Sequence, residues 1–424
     1  MSQRKYSGRP ELYAAQQLIC PDNIHILLAQ YGSTWRAMRK ALQGILSLTA
    51  IDALHPIQLA EATQSMCDLL DNPEGYYDSI RRYSTSVVLA SVYGQRGESF
   101  ESPKIQALYN SQYRFSRILE PGATPPIDAF PFLRSLPEFM SPWKTEAKDI
   151  RKVQSTLYFG LVKESKERRS KGVLEPCFIE RLIEGQAKNG LSDAQIAYLG
   201  GTLMEAGSDT TSSALLTFIL AMTQHPEALK KMQAELDEVC GTDRSPNFSD
   251  LAKLPYGLRW RPVAPGGVPH RLTEDDSYEG YMLPKGTIVF LNVWAIHMDE
   301  SEYDEPQKFK PERFLDNKYG CKGQDDVDEN RRATYNFGAG RRVCPGQRMA
   351  ENSLLLNMAK MAWLFDILPV GSEPLDVSIR TAFTDGVLIA PNKFPVRFVP
   401  RSEQRVAVIR ADLENSMELF ARYT

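Results

Sequence analysis

The residues from Ser192 to Gln224 contain no proline, and they open on Ser192-Asp193-Ala194-Gln195, the pattern of a helix capping box. His225-Pro226 closes the run. At 1.5 Å per residue such a helix is about 48 Å long, enough to cross a whole domain, so the rest of the chain must pack around one rod. A second helix is expected directly after it in PEALKKMQAELDEVCG, with Pro226 near its start and Gly241 at its end. Upstream, apolar residues recur at three and four in WRAMRKALQGILSL and KIQALYNSQYRFSRIL, so most of the chain before Pro226 reads as helix. The proline-rich stretch 120–143 reads as a long loop with short helical turns. Short strands are expected later, in GYMLPKGTIVFLNV and FTDGVLIAPNKFPVRFV, and polar 317–332 is read as surface.

Composition removes several classes of function. Hydrophobic residues at 42% and charged residues at 24% describe a globular chain with a large core. Fifty basic against fifty-three acidic residues give a net charge of -3, which argues against nucleic acid as a partner, because phosphate binding leaves a basic footprint. Cysteines 20, 67, 177, 240, 321 and 344 are scattered with no C-x-x-C pair, so neither a zinc site nor a disulfide framework is indicated, and a reducing compartment fits. The opening MSQRKYSGRPELY lacks an apolar stretch, and no later segment reaches the roughly 18 apolar residues of a membrane span.

The segment with the most chemistry is Phe337-Gly338-Ala339-Gly340-Arg341-Arg342-Val343-Cys344-Pro345-Gly346. It fits F-x-x-G-x-R-x-C-x-G at every fixed position, a match expected by chance about once in 10,000 chains of this length. Gly338 and Gly340 permit positive φ, so the loop can fold tightly beneath a flat ligand and turn amide hydrogens toward a sulfur. The helix expected after Pro345, GQRMAENSLLLNMAKMAW, would point its positive end at Cys344 and favour a thiolate.

This pattern resembles the haem-binding loop of the cytochrome P450 family, and further segments match in the family's order from Arg9 to about Arg401. LRWRPVAPGGVPHRLTEDD, together with the cysteine loop, looks most like filamentous-fungal members, many of which serve secondary metabolism. The resemblance implies a mainly α fold, a single haem-thiolate catalytic domain over 1–424, haem b as cofactor and Cys344 as the axial sulfur ligand. Ala206-Gly207-Ser208-Asp209-Thr210-Thr211, within the long helix, resembles the family's A-G-x-D/E-T-T segment on the oxygen-binding side. Gly207 would clear space for a ligand, Thr210 would hydrogen-bond the oxygen, and Asp209 would help supply the two protons released as water. Trp35 and Arg39, four apart on a helix, resemble the family's propionate-contacting pair, and Arg39, His270 and Arg342 make a plausible set of propionate donors. Phe337, Gly338 and Gly346 complete the cofactor-binding residues.

The resemblance also implies dioxygen, a lipophilic small-molecule substrate and a separate NADPH-cytochrome P450 reductase as partners, at the cytoplasmic face of the endoplasmic reticulum. Leu203 to Ala206, Val263 to Val268 and the Phe383-Thr384 turn would border the substrate. Arginines 331, 332, 341 and 348 could form the basic face that meets the reductase. Two features depart from the family. The sequence opens at what resembles the second helix, with no anchor, so an uncovered sheet edge and a cytoplasmic location are also expected. Tyr256 stands where the family's Glu-x-x-Arg helix has its glutamate, leaving Arg259 and Arg313 without that carboxylate. A non-catalytic remnant with weak or no haem binding is therefore the alternative reading.

Overall fold

The computed structural model describes residues 4–120, 122–172, 177–251, 261–317, 319–322 and 332–423. Tyr256, Arg259 and Arg331 lie outside the described residues. After a helical turn at Ala14–Ile19 the helices are α1 (Ser33–Ile45), α2 (Leu48–Asp52), α3 (His55–Asp71), α4 (Tyr76–Tyr93), α5 (Pro103–Leu119), α6 (Pro142–Ser170), α7 (Phe178–Glu184) and α8 (Gln186–Asn189). They continue as α9 (Asp193–Gln224), α10 (Pro226–Cys240), α11 (Val293–His297), α12 (Arg313–Asp316), α13 (Gln347–Leu364) and α14 (Glu403–Phe420). The 120–141 stretch holds two short turns, Pro131–Ser135 and Glu138–Met140, as its prolines require.

The rod is α9, and it starts where the sequence places it. Ser192 Oγ accepts from the Gln195 N–H at 3.2 Å, and Gln195 Oε1 accepts from the Ser192 N–H at 2.8 Å, so two otherwise unpaired donors satisfy each other's residues. Its ends are apolar all round and are core. Ile196 to Met204 enters one large apolar cluster, and Leu215 to Met222 enters a second with α3, α10 and α13. Between them, Glu205 to Ala214 brings small and polar residues to the middle of the molecule, where α9 is not sealed by core packing.

Strands form three two-stranded antiparallel pairs: β1 (His270–Arg271) with β4 (Ile288–Val289), β2 (Asp276–Tyr278) with β3 (Tyr281–Leu283), and β5 (Phe365–Pro369) with β6 (Val396–Pro400). Among the described residues the outer side of β4 carries no partner strand, as the expected uncovered edge would, whereas β1 is covered. Its free side is taken by the chain near Gly8, whose N–H and C=O both bond to Arg271 at 3.1 Å. A Cβ at Gly8 would sit 2.7 Å from the Arg271 carbonyl oxygen, so only glycine lets these backbones approach. That contact delivers the next residue, Arg9, to the interior.

Candidate active site

Beneath the middle of α9 lies a cavity of about 410 Å³, walled largely by apolar side chains, and Cys344 reaches it from below. Gly338 and Gly340 have φ of 71° and 65°, the left-handed turns the sequence led us to expect, and they fold the loop so that the Cys344 N–H donates to Phe337 O at 2.8 Å. Phe337, Gly338 and Gly346 line the cavity. Gly346 has an ordinary φ of -90° and serves as N-cap of α13, placing the positive end of that helix beside the sulfur. Four of the other five cysteines are buried away from the cavity, and Cys321 is half-buried outside it. Burial raises the pKa of the Cys344 thiol, and this outweighs the N–H of Gly346 and the guanidinium of Arg39, which act in the opposite direction. The helix end therefore does not by itself yield a thiolate. A coordinated metal ion deprotonates such a thiol outright.

Across the cavity, Ala206, Gly207, Thr210 and Thr211 of α9 face the sulfur side. Thr210 Oγ1 donates its hydrogen to Ala206 O at 2.6 Å, which leaves the hydroxyl oxygen as an acceptor toward the cavity. Gly207 has a second reason to be glycine. A Cβ there would lie 2.6 Å from Val88 Cγ2, so α4 could not pack along α9. Asp209 does not line the cavity; it is on the side of α9 that feels Arg81 of α4. Burial raises its pKa, and Arg81 only partly opposes the rise. Arg81 lies over the rings of Tyr109, 3.8 Å from the centroid, and Phe100, at 5.3 Å.

Four basic groups meet at one rim. Arg39 donates to Val343 O at 2.7 Å and so ties α1 to the cysteine loop. Arg342 gives its hydrogens to the carbonyl oxygens of Ser7 (3.0 and 2.9 Å) and Ala29 (2.9 Å), and lies over the ring of buried Trp35, 4.6 Å from its centroid. His270 Nδ1 lies 2.7 Å from Tyr6 O; a carbonyl only accepts, so Nδ1 carries the proton and Nε2 is left for the cavity. The fourth, Arg9, was not foreseen. It donates to Leu27 O (2.9 Å), Val268 O (3.1 Å) and Pro269 O (2.7 Å), and it lines the cavity. Among the described residues none of the four is paired with a carboxylate. Burial, reinforced by Arg9 and Arg39, depresses Arg342 to about 9; burial depresses Arg9 to about 10 and, with Arg9 and Arg342 beside it, also lowers His270. One sequence signal for Arg9 was its place after Gly8 and before Pro10, which fixes the backbone around a single cation.

Substrate-side expectations divide. Leu203, Ala206, Val263, Ala264, Gly267 and Val268 line the cavity. Phe383 is buried instead in a small cluster with Leu220 and Ile389, and Thr384 pairs with Ala390, while Leu388 of the same turn reaches the cavity. Arg313 turns its guanidinium to backbone, donating to Asp304 O at 2.9 Å.

One thiol below, three guanidinium groups and an imidazole at the rim with no carboxylate partner among the described residues, and apolar walls fit a flat, dianionic, iron-bearing macrocycle, which is what haem is. Comparison with known proteins agrees. The cytochrome P450 family model matches residues 2–398. The chain is 39% identical to the cytochrome P450 monooxygenase atE of Aspergillus terreus over 432 residues, covering 99% of this chain and 80% of that protein. It is 36% identical to the cytochrome P450 monooxygenase patI of Penicillium expansum over 428 residues, with the same coverage. A zebrafish cytochrome P450 solved with abiraterone superposes with a TM-score of 0.75 at 25% identity, covering 95% of this chain and 90% of that one. The chain belongs to the cytochrome P450 family, and as a monooxygenase of fungal type it has the mainly helical fold its sequence implied. The reading of a non-catalytic remnant finds no support in these likenesses or in the cavity.

Proposed function

We propose that this chain, acting as one catalytic domain over 1–424, inserts an oxygen atom from dioxygen into an apolar small molecule of fungal secondary metabolism. Electrons come from a separate NADPH-cytochrome P450 reductase. The observation that carries the reading is the cavity itself, whose floor offers a single thiol and whose rim offers four basic groups with no carboxylate partner among the described residues. Haem b supplies the iron at which electrons are received and dioxygen is activated. Cys344 is its sulfur ligand, and Arg9, Arg39, His270 and Arg342 bind its propionates, with Trp35 supporting Arg342 from beneath. Phe337, Gly338 and Gly346 shape the seat of the ring.

On the opposite side Thr210 Oγ1 holds a hydrogen-bond acceptor over the reacting position. The Asp209 carboxyl, with its pKa raised by burial, takes up protons on the Arg81 side of α9 and serves as the proton reservoir of the site. Apolar walls exclude water and hold a substrate by shape. Arg348 stands exposed beside the cysteine loop and suits an acidic reductase face, as does exposed Arg341, which also donates to the Tyr31 hydroxyl at 2.8 Å, whereas Arg332 is engaged with Gly338 O at 3.0 Å. No helix among the described residues is long and apolar enough to cross a membrane. Phe130, Phe132, Phe139 and Met140 are exposed on the 120–141 loop and support contact with the endoplasmic reticulum surface.

The test is turnover of an apolar aromatic panel with a fungal reductase, NADPH and isotopically labelled dioxygen. One labelled oxygen per product, lost in Cys344→Ser, is expected; label arriving from water instead would contradict the proposal.

A further inference from the structure

The residue that α9 places immediately before its cavity turn is Glu205, a buried side chain whose carboxyl group meets side chains from two other parts of the chain, while a third part donates to its backbone carbonyl. The loop before α1 contributes His25, 2% exposed and tilted 34° against the Phe115 ring, with Nε2 3.1 Å from Glu205 Oε2. From α6, Gln154 Nε2 donates to Oε1 at 3.1 Å, and the Tyr158 hydroxyl donates to the same oxygen. From α5, Gln112 Nε2 donates to the Glu205 backbone carbonyl at 2.9 Å. One turn earlier on α9 stands Gly201, where a Cβ would collide with the Tyr158 ring. Glycine there lets the ring seat against the helix and reach Glu205.

Burying a carboxylate is costly unless donors surround it, and an apolar side chain would fill the same space without that cost. What the charge adds is direction. Hydrogen bonds fix registry where apolar contacts would let the segments slide. The segments joined here build the cavity wall: His25 is followed by Ile26 and Leu27, which line it, and Glu205 by Ala206 and Gly207, which line it from above. Two successive carbonyls before Gly207 also take side-chain donors, Glu205 O from Gln112 and Ala206 O from Thr210.

We propose that Glu205 is a positioning residue of the monooxygenase site. His25, Gln112, Gln154 and Tyr158 converge on it, and this convergence holds the Ile26-Leu27 wall against the Ala206–Thr210 turn and sets the size of molecule admitted over Cys344. The inference rests on the haem-thiolate reading of the cavity.

The experiment compares the haem-loaded wild type with Glu205→Leu, Glu205→Gln, His25→Phe and His25→Gln. Imidazole and phenylimidazole bind iron through the same nitrogen but differ in bulk, and their affinities are read from the optical shift. In Glu205→Leu and His25→Phe the ratio of the two affinities changes about tenfold, and amide hydrogen exchange across 24–31 accelerates, while imidazole affinity alone holds. The glutamine variants keep a hydrogen bond and retain the wild-type ratio. Unchanged ratio and exchange in both disruptive variants, or glutamine variants that fall as far as they do, would overturn the proposal, whatever happens to the unfolding midpoint. If Glu205→Leu does not fold, His25→Phe decides, because it preserves the ring against Phe115. A wild type lacking the thiolate-type carbon monoxide spectrum would instead overturn the reading of the cavity, and hydrogen exchange would still decide the role of Glu205 as a clamp.

Discussion

Two buried arginine clusters in this molecule are built on opposite principles. Between α3 and α4, Arg82 lies 2.6 Å from Glu61 and 2.9 Å from Asp68, and Arg96 lies 2.7 Å from Glu61, whose Oε1 also accepts from Ser86 at 2.8 Å. Burial alone would depress Arg82, yet Glu61 and Asp68 more than reverse it and its pKa is raised. At the cavity rim Arg9 is buried as deeply and Arg342 partly, among the described residues their guanidinium hydrogens go to carbonyl oxygens alone, and burial depresses both. The first cluster is closed on itself and belongs to the fold. The second holds positive charge with no carboxylate partner among the described residues, and uncompensated charge of one sign marks the place of an anionic ligand.

Variants can sharpen this contrast. Glu61→Leu strands Arg96 and leaves Arg82 with Asp68 alone, so unfolding in urea should show a loss of about 3 to 5 kcal/mol, with or without haem. A loss under about 1 kcal/mol would mean that the cluster is not the closed unit described. Arg342→Met should do the reverse. The haem-free chain keeps or gains stability because a depressed cation is removed, while haem affinity in a titration falls about tenfold or more. Equal damage to the haem-free and haem-loaded forms would erase the distinction between the clusters.

Thr210→Ala should leave haem content and the ferrous carbon monoxide spectrum unchanged but lower product formed per NADPH consumed, with the balance appearing as peroxide. Unaltered coupling would remove the role given to its hydroxyl. The smallest effect is at His270. Its folded-state pKa is lowered from 6.5, so below that pH the unfolded chain binds a proton that the folded chain refuses, and stability is lost as pH falls. The stability of the haem-free wild type relative to His270→Gln should therefore drop between neutral and mildly acidic pH, and drop less in the haem-loaded protein, whose propionates favour the protonated ring. A gap independent of both pH and haem would place His270 away from the propionates.

Much of this was legible in the chain because it depends on local rules. The Ser192 capping box, the left-handed Gly338 and Gly340 and the helix after Pro345 are each set by a few neighbouring residues. What escaped depends on distant partners. Arg9 and His25 are held at the cavity in part by backbone or side chains more than a hundred residues away, at Val268, Pro269 and Glu205. β5 and α14 were not anticipated, since FDILP reads as the end of a helix until VRFVP pairs with it. Gly207 was read for the ligand, but Val88 on another helix is what a Cβ would meet first.

The central claim is that the thiol and the unpaired cations are two parts of one haem site. Titration of the purified chain with haem, followed by reduction under carbon monoxide, tests both together. One haem per chain with the thiolate-type spectrum, lost in Cys344→Ser and weakened in affinity alone in Arg342→Met, is the expected result. A wild type that never shows the thiolate-type spectrum, or a Cys344→Ser variant that keeps it, would contradict the claim.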